Sequence, residues 1–409
     1  MTPNPSLHLG WEDVDPSKVY KFDNCQVLRG QELKPDSVYV RGGKIVDPQK
    51  LWWTEKKSHD FEIDLGGKIL SPGLIELQIN GGWGVDFSSD LTISDGKPLK
   101  KVAFNLLSHG VTSFCPTIVS SSAETYAKIL KNVTKFDGGP EGASCLGAHL
   151  EGPFINPTKK GAHNSDFIVQ LDRGIESIAE MYGSVLDNVA IVTLAPEMKS
   201  ALDVIDILHK RGIVVSIGHS NANYEVVTEA VAKGARMVTH LYNSMGSFHH
   251  RDPGIIGALG IQRGNLSFGI VGDGHHSHDA ALRIVHRCQP QGVVLVTDAT
   301  AALGLSDGIH HLGSKEIEVM GTKAVLANTN TLSGSVTPIL CCIRNYMKAT
   351  GCSLGEALST ATEHPARVMG IDRMKGRIIP GADADFVVLD KSLRIVSTWI
   401  RGRMVYHAE

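Results

Sequence analysis

Short runs rich in aliphatic and β-branched residues recur along the middle of the chain. They lie at Leu74 to Ile79, Val111 to Thr117, Cys145 to Leu150, Val189 to Leu194, Ile213 to Ile217, Met237 to His240, Ser267 to Val271 and Val293 to Thr297. Between most of them the apolar spacing changes to the three-and-four rhythm of an amphipathic helix, at Pro98 to His109, Ala123 to Val133, Ala201 to Arg211, Asn223 to Lys233 and Asp279 to Arg287. Strands that alternate with helices pair in parallel, because each helix carries the chain back to the end where the last strand began. Eight such units within roughly 250 residues suit a closed (β/α)8 barrel of the TIM type better than an open sheet. The expected fold class is α/β.

The flanks follow a different pattern. Val19 to Leu28, Ser37 to Val46 and His59 to Leu65 predict short strands separated by turn-forming pairs, and Gly376 to Ile379, Ala384 to Leu389 and Val396 to Tyr406 repeat the style near the other end. Two β-rich ends that bracket one barrel can meet as a small β-sandwich. This places the sandwich in residues 1–70 and 373–409 and the barrel in 71–372. Lys315 to Leu326 predicts a hairpin that serves as a lid or pocket wall.

Composition narrows the classes of function. Lys and Arg number 40 against 43 Asp and Glu, a formal charge of -3, so no overall field draws the protein to nucleic acid or an anionic membrane, and an anionic ligand must be held locally. Seven cysteines without a C-x-x-C pair, mostly inside apolar runs, read as reduced core thiols. With no secretory pattern at the N-terminus and no apolar run of membrane-spanning length, the expectation is a soluble cytoplasmic protein.

In a barrel of this kind chemistry sits at the C-terminal ends of the strands. Those ends read His149-Leu150-Glu151, Gly218-His219, His240-Leu241-Tyr242-Asn243, Gly272-Asp273-Gly274-His275-His276 and Thr297-Asp298. Two histidines and one carboxylate form a known type of catalytic zinc site, and Glu151, His219 and His240 supply that set for one divalent ion, Zn2+ being the expected metal. Asp298 can take a proton from activated water and pass it to a departing nitrogen. His276 can polarise a carbonyl oxygen, with His275 and His278 as rivals for that place. The first strand offers the amides Gln78 and Asn80 where a two-metal hydrolase would carry His-x-His. Amides are poor ligands beside imidazole, so a single ion is expected, with both amides left to hydrogen-bond water or substrate.

Seven runs carry a specific resemblance: Ser71 to Gly81, His149 to Phe154, Lys159 to His163, Gly218 to Ala222, Thr239 to Met245, Val296 to Thr300 and Thr331 to Ser335. In order and at these strand ends, they resemble the N-acetylglucosamine-6-phosphate deacetylases of the amidohydrolase superfamily over nearly the whole chain. The resemblance implies hydrolysis of the N-acetyl group of N-acetyl-D-glucosamine 6-phosphate, with Glu151, His219 and His240 on the metal, Asp298 as acid and base, and His276 on the acetyl carbonyl. It implies sugar contacts from Ala162 and His163, and phosphate handling by Asn243, Ser244 and Arg251. It also implies a pocket wall from Leu332, Ser333, Gly334 and Ser335, and a homodimer. A guanidinium fork at Arg251 matches phosphate oxygens on physical grounds as well; Lys159 and Lys160 are further candidates. Ser244 departs from the small apolar residue of many relatives, and His249 and His250 are additions. Two other readings compete: a different amidohydrolase reaction on the same barrel, such as cyclic-amide hydrolysis or deamination, and a silent barrel that binds a sugar phosphate.

Overall fold

The computed structural model describes residues 14–93, 95–261, 266–312, 315–329 and 332–408. Eight parallel strands pair in chain order: β1 (Leu74–Ile79), β2 (Val111–Val119), β3 (Ala148–Glu151), β4 (Val189–Leu194), β5 (Val214–Ile217), β6 (Ala235–Val238), β7 (Ser267–Val271) and β8 (Val293–Val296). Backbone past the end of β8 closes the ring onto β1, with Asp298 N donating to Gln78 O (2.9 Å) and Asn80 N to Ala299 O (2.7 Å). At the other end of the same seam, Thr360 and Ala361 accept from Leu295 and Ile75. The expected barrel is present. Helices cover its outer face, several begun by side-chain caps such as Ser122 and Asn223, each accepting from a backbone N–H of the first turn.

The barrel interior is layered, as the two-residue period of a strand requires. Ile191, Val214 and Met237 belong to one apolar interior cluster with Cys115, Val271, Val294 and Val296. Two residues further along three of these strands stand Thr193, Ser216 and Thr239. Their hydroxyls join in a chain at 2.8 and 2.6 Å that ends on His149 Nε2, 2.8 Å from Thr193. The next layer up is the mouth, reached in phase by Glu151, Asp273 and Asp298, two residues beyond His149, Val271 and Val296.

Both chain ends build one seven-stranded sheet, ordered 403–407, 395–400, 386–389, 61–72, 20–29, 32–41 and 44–46. Phe22 and Trp399 sit three strands apart in that order, about 14 Å in a flat sheet, yet their rings lie 5.0 Å apart edge to face. The sheet therefore curls around its own core, which also holds Phe386, Ile63, Leu65 and Val388.

Several predicted boundaries shift. Ser37 to Val46 is two strands, Glu32–Arg41 and Lys44–Val46, because Gly42 and Gly43 take φ of +58° and +78° and reverse the chain. Val396 to Tyr406 likewise divides at Arg401-Gly402. Gly376 to Ile379 is not a strand: Ile378 is buried in the sandwich core, but its carbonyl accepts from the Arg29 guanidinium rather than a neighbouring strand. The hairpin at 315–326 is present and extends into a four-stranded antiparallel sheet with Gly308–Leu312 and Leu332–Ser335, joined to the barrel mouth where Thr300 N donates to Ser335 O.

Candidate active site

Alternation along β5 and β6 turns Ser216 and Thr239 inward, so His219 and His240 are out of phase with the interior. Both residues leave their strands with left-handed backbone, φ of +48° and +27°, and this swings each imidazole back over the mouth. Such conformations cost about 1–3 kcal/mol each in a residue other than glycine and persist where surrounding structure imposes them.

The result is a triangle of donor atoms. Glu151 Oε1 lies 3.2 Å from His219 Nε2 and 2.9 Å from His240 Nε2, and the two nitrogens are 3.0 Å apart. All three side chains are at least 95% buried. The His219 Nδ1 sits 2.8 Å from the Lys159 carbonyl, which can only accept, so Nδ1 carries the proton and Nε2 presents a lone pair to the triangle. Separations near 3 Å are those of neighbouring ligands held at about 2.0–2.2 Å from a shared ion. The donor set therefore fits a divalent metal.

His163 also approaches, its Nε2 4.0 Å from Glu151 Oε2, and among the described residues the ligand atoms of Glu151, His163 and His219 fall within 4.8 Å of one another. Its Nδ1, however, accepts from Ser120 N (3.3 Å) with the Ser120 hydroxyl at 2.7 Å. The proton thus sits on Nε2, making His163 a hydrogen-bond donor toward the site rather than a ligand. Burial lowers its pKa to about 4, so the ring is neutral.

Gln78 and Asn80 turn their NH2 groups to carboxylates. Gln78 Nε2 donates to Glu151 Oε1 (3.1 Å) and Asp298 Oδ1 (3.3 Å), and Asn80 Nδ2 donates to Asp298 Oδ1 (2.7 Å). Their carbonyl oxygens are buried acceptors with no partner among the described residues. Burial first, and the Glu151 charge second, push the Asp298 carboxyl up to about 6. Burial would raise Glu151 too, but the ring nitrogens of His219 and His240 beside it outweigh that effect and hold its carboxyl well below the usual range. The same contact raises His240 to about 9 against the effect of its burial.

The three neighbouring histidines separate by their contacts. His276 Nδ1 lies 2.6 Å from Asp273 Oδ2, while Asp273 Oδ1 accepts from the backbone of both His275 and His276. Burial lowers the His276 pKa, and the Asp273 carboxylate overrides it and raises it. His275 reaches Thr322 on the hairpin, and His278 caps the helix Asp279–Cys288 by accepting from Ala280 N.

The remaining candidates are spread around the mouth. Ser244 has φ +53°, its carbonyl accepts from Ser220 N, and its hydroxyl crowds Gly161, one residue before exposed Ala162. Asn243 is partly buried and donates weakly to Leu241 O (3.4 Å). Arg251 is exposed, and its guanidinium makes no ion pair among the described residues. Lys160 Nζ is tied to the His163 carbonyl. Gly334 packs on Thr300 and Ser335 is buried in the strand beside it, whereas the side chains of Leu332 and Ser333 lie outside what the structure describes. Sequence alone assigns no role to Asp273 or Ser120. An acid three residues before His276 was the available signal for the first, and nothing local pointed to the second.

Comparison with known proteins adds independent findings. The amidohydrolase family matches residues 69–405. A human N-acetylglucosamine-6-phosphate deacetylase is 49% identical over 398 residues, covering 96% of this chain and 97% of the relative. An N-acetylgalactosamine-6-phosphate deacetylase of Escherichia coli O157:H7 is 34% identical over 339 residues, 82% of this chain and 88% of the relative. A mutant N-acetyl-D-glucosamine-6-phosphate deacetylase from Mycobacterium smegmatis, solved in complex with N-acetyl-D-glucosamine-6-phosphate, superposes with a TM-score of 0.78 at 27% identity, covering 95% of this chain and 99% of that one.

Proposed function

The chain belongs to the amidohydrolase family, and on that premise we propose that it hydrolyses the N-acetyl group of N-acetyl-D-glucosamine 6-phosphate to acetate and D-glucosamine 6-phosphate. The observation that carries the reading is one Glu151 oxygen in contact with both imidazole nitrogens, with Asp298 linked to the same carboxylate through Gln78. Glu151, His219 and His240 would hold the divalent ion, and their mixed nitrogen and oxygen donors favour zinc. Such an ion, when bound, supplies Lewis acidity toward water and the acetyl carbonyl.

Asp298 performs both proton transfers. Held by Asn80 and Gln78, it accepts the proton that the attacking water loses, then delivers it to the sugar nitrogen so that an amine departs rather than an amide anion. A carboxyl raised to about 6 is ionised enough to act as base near neutrality and basic enough to retain the proton for the second step. Asp273 favours the imidazolium form of His276, whose Nε2–H then donates to the carbonyl oxygen as negative charge grows there. His163 Nε2–H offers a donor to a sugar hydroxyl, beside the Ala162 backbone. Asn243, Ser244 and Arg251 receive the phosphate, and Leu332 to Ser335 wall the sugar pocket.

This reading divides the chain into a barrel, residues 71–372, and a sandwich, 1–70 and 373–409; β1 begins at Leu74 and supports that division. It includes a homodimer, supported by Phe248, 60% exposed near Arg251. It also includes a cytoplasmic location, supported by seven free thiols, and among the described residues no helix is long and apolar enough to cross a membrane.

Acetate release tests the substrate, measured on N-acetylglucosamine 6-phosphate, plain N-acetylglucosamine and N-acetylgalactosamine 6-phosphate with the metal content of the preparation determined in parallel. Strong preference for the first is expected. Equal turnover of the unphosphorylated sugar would move the assignment to another amide, and faster turnover of the galactosamine compound would move it to the C4 epimer.

A further inference from the structure

We infer that Glu197, in the loop after β4, is a positioning residue for the metal site, holding His219 in its ligating orientation through the loops on either side. The inference rests on the metal reading above. Glu197 Oε1 accepts from Asn221 N (2.7 Å) and Asn156 Nδ2 (2.9 Å), and Oε2 accepts from the Ser220 hydroxyl (2.6 Å). Asn156 follows β3, which ends in Glu151; Ser220 and Asn221 directly follow His219 at the end of β5. One carboxylate thus joins the loops that leave three consecutive strands.

The joint is closed on itself. Asn156 N donates to the His219 carbonyl (2.9 Å), and Asn156 O accepts from Lys159 N (2.9 Å). The Lys159 carbonyl is the group that fixes the His219 tautomer, at 2.8 Å from Nδ1. On the other side the Ser220 hydroxyl accepts from Ala222 N, and Asn221 Nδ2 donates to Thr158 Oγ1. His219 has a left-handed backbone that no glycine relieves, so its neighbours must impose it. Removing the Glu197 carboxylate frees both the loop that supplies the Lys159 carbonyl and the residue that follows His219. The predicted consequence is a weaker hold on the ion, since outer partners of ligating histidines set their orientation and typically account for 10–100-fold in metal affinity.

The test is calorimetric titration of Zn2+ into metal-free Glu197→Ala, Glu197→Gln and wild-type protein, with thermal unfolding of each metal-free form and the visible spectrum of each Co2+-loaded form. Glutamine keeps one oxygen for Asn221 and Asn156 and meets the Ser220 hydroxyl with an NH2 it can accept from, so it should bind zinc within about threefold of wild type. Glu197→Ala should bind about 10–100-fold more weakly, with an altered Co2+ spectrum and a metal-free melting temperature close to that of wild type. Equal zinc affinity in Glu197→Ala and wild type would overturn the inference while leaving the metal reading intact. So would a loss of affinity matched by collapse of the metal-free fold in both variants, which would mark Glu197 as merely structural. Wild-type protein that takes up no zinc would overturn the metal reading and this inference with it.

Discussion

Replacing Glu76 by glutamine should make the protein less sensitive to alkali, and the size of the effect follows from where that carboxyl sits. Glu76 lies in β1 at 1% exposure, two residues before Gln78, with one oxygen accepting from Gln78 N (3.0 Å) and the other from Thr297 N (3.1 Å). Burial raises its pKa to about 8 despite those two donors. Between 4.5, the unfolded value, and about 8, the native state keeps a proton that the unfolded chain has lost, so stability falls as pH rises. At about 1.4 kcal/mol per pH unit the window amounts to roughly 5 kcal/mol. For a chain of 409 residues unfolding cooperatively, that corresponds to about 6 °C in Tm.

Glutamine cannot ionise, although its NH2 must face one of the two backbone donors. The neutral acid already carries that conflict at its hydroxyl. Glu76→Gln should therefore melt close to wild type at pH 5 and about 6 °C above it at pH 9, the gap opening through the window set by the burial of Glu76. Thermal scans at one rate across that pH range measure it, with the difference between the two proteins cancelling the titrating groups that do not feel the Glu76 charge. Parallel curves, or a wild type that is the more stable at pH 9, would show that the two backbone donors and not burial govern this carboxyl.

Asp298→Asn keeps the hydrogen-bonding outline and removes the proton acceptor, so kcat should fall about 10²–10⁴-fold with metal content unchanged; near-normal turnover would exclude Asp298 as the acid and base. His219→Ala should leave the purified protein largely free of metal by elemental analysis and inactive, and full occupancy would remove His219 from the ligand set. Asp273→Asn should weaken the raised pKa of His276, moving the alkaline loss of kcat to lower pH, and an unchanged profile would dissociate that pair from the reaction. Arg251→Ala should raise KM for the phosphorylated sugar about tenfold or more, through loss of a charge-assisted fork, while turnover of the plain sugar stays as it was.

The barrel was legible because its strands are short apolar runs and most are followed by an amphipathic helix before the next, a pattern set by burial alone. The acids and imidazoles of the mouth were legible for a related reason: polar residues such as Glu151 and His240 interrupt otherwise apolar strand ends. What sequence does not carry is direction. Strand alternation would turn His219 and His240 away from the interior, and only their left-handed backbone brings them over it. Choosing among His275, His276 and His278 needed a hairpin more than forty residues away and a helix start. Glu76 is silent in the sequence because a carboxyl inside Leu-Ile-Glu-Leu-Gln-Ile acquires meaning only when β8 closes against it. Gly376 to Ile379 reads as a strand from its apolar residues, yet no neighbour pairs with it as one.

The terminal sheet has a bearing on how the protein comes into being. Strand 61–72, which runs into β1, pairs with 386–389, and the Phe22 ring rests on Trp399. A ribosome adding about 5–20 residues per second spends on the order of tens of seconds between releasing one partner and the other. For that interval the strands between residues 20 and 72 lack the three C-terminal strands that complete their sheet, a natural client for a chaperone. A premature stop before Phe386 would make that exposure permanent, so nonsense alleles sparing the entire catalytic mouth should still yield aggregating protein.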